Sequence, residues 1–142
     1  MIYNLSKKKY ISKAPVCAMG ILARARGMIG RDFTDFDAMI FEDCNSIHTM
    51  FMSINLDVLF IDSENRICAL RKAMTPWRFC ARCASARTII ELPEGTIEKT
   101  GTDAGDFIDL KSELSDERGK SVLSKELIEP AETAIPLSGN RR

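Results

Sequence analysis

Asn55-Leu56-Asp57-Val58-Leu59-Phe60-Ile61-Asp62-Ser63-Glu64-Asn65-Arg66-Ile67-Cys68-Ala69-Leu70-Arg71 is the stretch on which the fold turns. Leu56 to Ile61 is a nearly continuous apolar run, as expected of a strand buried on both faces. Asp62 to Asn65 is turn chemistry, because Asp and Asn bond their own backbone and Asn tolerates the left-handed region. Arg66 to Arg71 then resumes a strand, so the spacing predicts a hairpin joining Val58–Ile61 to Ile67–Leu70.

Ala38 to Glu42 and Thr49 to Ile54 read as strands before the hairpin. Thr88 to Leu92, Thr96 to Lys99 and Phe107 to Leu110 read as strands after it, with a turn at Pro93-Glu94-Gly95. Val16 to Ile29 is the one helical pattern in the domain, with Val16, Met19, Leu22, Ala23, Ala25 and Met28 near helical spacing. Met1 to Ala14 suits an edge hairpin or a loosely held arm. The fold class is therefore mainly β, a single domain over residues 1–111 with one short helix near the N-terminus. Past Lys111 the composition turns to Ser, Glu, Lys and Asp, which cannot repay the entropy of ordering, so residues 112–142 are expected to form a disordered tail. Within that tail Val122, Leu123, Leu127 and Ile128 have the spacing of a short docked helix.

The 142 residues suffice for one hydrophobic core. Twenty basic residues balance twenty acidic ones, which offers nucleic acid or anionic lipid no overall attraction. Five cysteines, an odd number, favour reduced thiols and a cytoplasmic setting. Lys7 to Lys9 before the apolar stretch Ala14 to Leu22, with Ala23-Arg24-Ala25 after it, gives an export signal only a weak rival claim, since Pro15, Gly20 and the two arginines interrupt it. No run approaches the roughly 18 apolar residues of a membrane-spanning helix.

Phosphate-loop, dinucleotide, nucleophile-elbow and zinc-protease motifs are all absent from the sequence, and His48 is the single histidine. Cys44-x-x-x-His48 with Cys80-x-x-Cys83 has the ligand types of a tetrahedral zinc site. Free thiols are the plainer reading, because Cys17 and Cys68 show cysteine used as a small apolar residue, and the two segments are expected at different edges. A nucleophile–base pair of Cys44 and His48 lacks an orienting third group. Asp57, set in an apolar run, either caps backbone amides or meets a ligand. Trp77 in Thr75-Pro76-Trp77-Arg78 either packs or walls a pocket beside His48 and Met52.

Arg26-Gly27-Met28-Ile29-Gly30-Arg31, Ala38-Met39-Ile40-Phe41, Ile47-His48-Thr49-Met50-Phe51-Met52 and Asn55 to Asp62 occur in that order, followed by Pro76-Trp77-Arg78, Ile90 to Gly95 and Gly105-Asp106. Together they resemble the bacterial and archaeal domain-of-unknown-function 192 family. Ala38 and Asn55 depart from the family's usual Gly and Pro, and the Cys80-x-x-Cys83 pair is not a family feature. The resemblance implies a jelly-roll-like β-sandwich or barrel with a small helix, and no established reaction. The expected function is a non-enzymatic binding or accessory module whose ligand surface includes His48, Thr49, Met52, Asp57 and Trp77. Its partner would be a small ligand or a protein, with neither nucleic acid nor membrane involved, and zinc as the one cofactor candidate. The runner-up is an enzyme of unknown reaction, with or without a metal, using the region around His48.

Overall fold

The computed structural model describes residues 1–110, 113–116 and 121–123. Its elements are β1 (Ile2–Asn4), β2 (Lys9–Ser12), β3 (Pro15–Cys17), α1 (Ile21–Arg26), β4 (Ala38–Glu42), β5 (Ser46–Ile47), β6 (Leu56–Ile61) and β7 (Ile67–Met74), then β8 (Ala81–Arg82), β9 (Thr88–Pro93), α2 (Thr96–Thr100), β10 (Ile108–Leu110), β11 (Glu113–Asp116) and β12 (Ser121–Leu123). The protein is mainly β, as the residue pattern requires.

A seven-stranded sheet in the order β12-β11-β3-β4-β9-β6-β7 carries the structure, and a three-stranded sheet in the order β10-β1-β2 lies beside it. The expected hairpin forms: β6 and β7 pair antiparallel with Leu59 opposite Leu70, and Asn65 takes the left-handed conformation at φ 59°. Every residue of β6 is buried, which explains its unbroken apolar run. Among the described residues β7 is an edge strand, and exposed Arg71 and Lys72 there discourage further pairing.

Side chains alternate across the large sheet and so divide the core in two. Ile40, Leu59, Ile61, Ile90 and Leu92 enter one half, closed by Ile2, Ile11 and Ile108 of the small sheet and by Ile97 of α2. Met39, Phe41, Val58, Phe60 and Ile89 enter the other, closed by Met28, Met52 and Ala86 from the loops. Each fully buried side chain of this size contributes about 2 kcal/mol of transfer free energy.

Several sequence expectations give way to tertiary pairing. The helix spans only Ile21–Arg26, because Pro15 to Cys17 instead pair parallel with Ala38 to Ile40 and bury Cys17. Ile21 and Leu22 are consequently exposed rather than packed. Thr96 to Lys99 belong to helix α2, not to a strand. The Asp57 carboxylate accepts the Ile97 N–H at 2.8 Å and Thr100 Oγ1 donates to the Thr96 carbonyl at 2.8 Å. Left-handed Gly101, φ 68°, then donates its N–H to the carbonyls of Glu98 and Ile97 and ends the helix. Thr49 to Ile54 is not a strand but a turn-rich segment in which Phe51 has φ 61°. The N-terminal residues form a hairpin, with β1 central in its sheet rather than a loose arm. β11 and β12 lie within the stretch expected as a tail, and Val122 and Leu123 are in a strand rather than a helix. The remainder of that expectation falls outside the described residues.

Candidate functional site

Two very short strands decide where the candidate residues sit. β5 and β8 pair antiparallel, Ser46 opposite Arg82 and Ile47 opposite Ala81. Beyond the pair, Thr49 N–H donates to the Arg78 carbonyl (2.9 Å), Trp77 N–H to the Thr49 carbonyl (2.9 Å) and Cys83 N–H to the Asn45 carbonyl (3.0 Å). The segment bearing Cys44 and His48 thus runs beside the one bearing Cys80 and Cys83, against the expectation of different edges. Strands of two residues carry no hydrophobic period of their own, so no local pattern announces this pairing.

The four side chains nevertheless do not gather into one ligand set. Among the described residues no group of three or more His, Cys, Asp and Glu side chains is placed to hold a metal ion. Cys83 Sγ lies 3.1 Å from Cys68 Sγ, Cys44 Sγ lies 3.2 Å from the Ser46 carbonyl, and Cys80 is exposed.

A cleft of about 80 Å³ opens where this paired ledge meets α1, with Arg24, Gly27, Phe41, Cys44, His48, Met52 and Glu91 in its wall. Gly27 matters here because its φ is 49°, a backbone conformation that favours glycine, and it stands beside the Phe41 ring. Arg24 stands at the cleft through a hydrogen bond from Nη2 to the Asp43 carbonyl at 3.1 Å. Glu91 forms the floor. It sits on β9 opposite Met39 of β4 and Val58 of β6, which puts its side chain in the half of the core closed by loops. Glu91 is 2% exposed, and among the described residues its Oε2 has no hydrogen-bond partner. Burial pushes its pKa up to about 8, because the charged form is taken out of water with nothing to compensate it.

Of the five expected binding residues, His48 and Met52 line this cleft. Thr49 is buried behind it as a bracket: its hydroxyl donates to the Thr75 carbonyl at 2.8 Å and accepts the Arg78 N–H at 2.9 Å. Asp57 faces the opposite half of the core, where Oδ1 accepts the Ala73 N–H at 2.9 Å and Oδ2 the Ile97 N–H at 2.8 Å. Trp77 points outward and stacks edge-to-face on Phe51, ring centres 5.0 Å apart. A larger groove of about 560 Å³ between β2 and α2 holds Ser12 and Asp37, but the Asp37 carboxylate accepts the Ser12 hydroxyl and the Lys13 and Ala14 amides, leaving no buried group in need among the described residues.

Glu91 went unnoticed in the sequence because it lay inside a strand read only for its period. The available signal was the one that marked Asp57: a lone carboxylate between apolar neighbours, Ile89, Ile90 and Leu92.

The model of the domain-of-unknown-function 192 family, described as Uncharacterized ACR, matches residues 8–110. A UPF0127 protein of Thermococcus sibiricus is 41% identical over 68 residues, covering 48% of this chain and 44% of that protein. A UPF0127 protein of Thermococcus kodakarensis is 36% identical over 83 residues, covering 58% and 51%. The chain spans about half the length of the curated relatives it matches. A crystal structure of a protein of unknown function from Novosphingobium aromaticivorans superposes with a TM-score of 0.60 at 20% identity, covering 67% of this chain and 73% of that one, a likeness of fold alone.

Proposed function

This chain belongs to the domain-of-unknown-function 192 family, and from that premise we propose that it is a non-enzymatic binding module that takes the carboxamide or carboxyl end of a small molecule into the cleft above Glu91. The observation that carries the reading is the buried Oε2, which has no partner among the described residues. Leaving such a group unpaired costs about 1–3 kcal/mol, a cost that a ligand removes by supplying the missing bond.

With its pKa near 8, Glu91 is mostly protonated at neutral pH and offers one donor beside acceptor capacity. A carboxamide or carboxylic acid presents the matching edge. Arg24 and His48 in the wall favour a neutral or anionic group over a cation. The volume of about 80 Å³ suits a head group of only a few heavy atoms rather than a whole drug-sized molecule. His48, Met52 and Glu91 are then the contact residues, Thr49 supports the ledge, and Asp57 supports the sheet. Trp77 and Phe51 supply an outer apolar surface for the rest of the ligand. Five cysteines and a net charge of zero support a cytoplasmic module without nucleic-acid partners.

Titration of the full chain with acetamide, acetate and methylammonium, followed by amide chemical shifts, tests this. Acetamide and acetate should move Arg24 to Gly27, Ser46 to His48 and Glu91, and methylammonium should not. Shifts confined to other regions, or unaffected by Glu91→Leu, would defeat the reading.

The same carboxyl also favours one alternative. A group titrating near neutral pH in a cleft walled by an imidazole has the properties of a general acid or base, so the second reading is an enzyme using Glu91 and His48 for proton transfer. Glu91→Gln separates the two: it keeps donor and acceptor for binding but cannot transfer a proton, so turnover found in an activity screen should vanish in that variant.

A further inference from the structure

We propose that Cys68 and Cys83 are a reversible, peroxide-responsive disulfide pair that fastens the segment carrying β8 to strand β7. The two sulfurs are 3.1 Å apart although the residues are 15 positions apart in the chain. A disulfide needs about 2.05 Å, which leaves the two sulfurs roughly 1 Å to close. The backbone on the Cys83 side is already held, since its N–H donates to the Asn45 carbonyl and its carbonyl accepts the Ala86 N–H at 3.1 Å.

The two thiols differ in the way such chemistry requires. Cys68 Sγ lies against the Phe60 carbonyl at 3.3 Å, and burial pushes its pKa up. Cys83 lies 3.4 Å from the Ser85 hydroxyl, whose hydrogen bond is the largest cause drawing its thiol down. Cys83 is therefore the sulfur that forms thiolate and attacks peroxide, and Cys68 the one that resolves the product. The Cys83 thiolate takes one peroxide oxygen, becoming a sulfenic acid as the O–O bond breaks and, with one proton, water leaves. The Cys68 sulfur then attacks that sulfenic sulfur, its proton leaves with the hydroxyl as a second water, and the S–S bond forms. In sum two thiols lose two electrons and two protons, and one peroxide is reduced to two waters.

Cys80 is the obvious rival as partner, being close in sequence and exposed. Between Cys80 and Cys83, however, the chain is the extended strand β8. Residues three apart in a strand point to opposite faces. The Cys68–Cys83 bond would enclose Trp77 and β8 in its ring, and β8 pairs with β5, which leads into His48. Oxidation therefore fixes the outer wall of the cleft.

Trypsin provides the test, since it cuts after Arg66, Arg71, Arg78, Arg82 and Arg87 and places Cys68, Cys80 and Cys83 on three separate peptides. The reduced full chain is treated with a few-fold molar excess of hydrogen peroxide, alkylated, digested without reductant and weighed. The expected product joins 67–71 to 83–87, lighter than their sum by two hydrogens, and separates with dithiothreitol. Cys80→Ser should leave its yield unchanged, and Cys68→Ser should trap a sulfenic acid on Cys83 that takes up dimedone. A bond from Cys80 to Cys83, a crosslink between two molecules, or equal alkylation of all three peptides after peroxide would overturn the proposal.

Discussion

Asp57 on β6 and Glu91 on β9 stand in neighbouring positions of one sheet, since Asp57 is opposite Leu92 and Val58 is opposite Glu91. Both carboxyls are almost wholly buried, yet they enter different halves of the core. Asp57 enters the half closed by the small sheet and α2, where each oxygen receives a backbone amide. Asn4 in that half is likewise satisfied, giving its side-chain amide to Asp106 Oδ2 at 2.9 Å and Thr102 Oγ1 at 3.2 Å. Glu91 enters the half closed by loops and is left with an oxygen unpaired beside a cleft. The difference shows that burial of a carboxyl does not by itself mark a ligand site. Where regular elements close a core they bring their own end amides to the carboxylate, and where loops close it a group in need of a partner persists.

The largest effect should come from removing the satisfied carboxylate. Asp57→Ala deletes two charge-assisted hydrogen bonds and frees the start of α2, at about 1.5–3 kcal/mol each. Thermal unfolding should shift down by about 12 °C or more. A variant melting with the parent would erase the contrast between the two halves.

The next effect concerns Glu91 and sharpens the contrast through pH. Its carboxyl titrates near 4.5 in the unfolded chain and near 8 in the folded one. Between those values the unfolded chain ionises while the folded one stays protonated, so the parent loses stability as pH rises through the window. Glutamine does not ionise. The stability of Glu91→Gln relative to the parent should therefore grow from pH 5 to pH 9, by on the order of 4 kcal/mol at about 1.4 kcal/mol per pKa unit. Denaturant midpoints at several pH values read this directly, and parallel curves for the two proteins would mean that Glu91 is ionised and paired after all.

The smallest effect belongs to the outer surface. Trp77→Ala loses an exposed edge-to-face contact with Phe51 and should cost less than about 1 kcal/mol. Acetamide-induced shifts near Glu91 should survive in that variant. A large loss of stability would show that the ledge is held from outside, by its aromatic pair, rather than from within by Thr49.

How far the residues announced all this depends on how local the determining physics was. The β6–β7 hairpin was legible because an apolar run, an Asp-to-Asn turn and a second run are all set by neighbours in the chain. Asp57 stood out for the same reason, and the family blocks from Arg26 to Asp106 marked His48 and Met52 as residues worth following. Chain-local physics thus sets a mainly β chain, the central strands and their buried faces, and the short set of polar residues at issue. Long-range pairing settles which of two spacings wins at Pro15 to Cys17, that Thr96 to Thr100 coil into a helix under Asp57, and that β5 meets β8. It alone also separated Asp57 from Glu91 and brought Cys68 to Cys83. These outcomes rest on hydrogen bonds and contacts between residues far apart in the chain, and strands of two or three residues hold too few side chains to encode their partners in any local period.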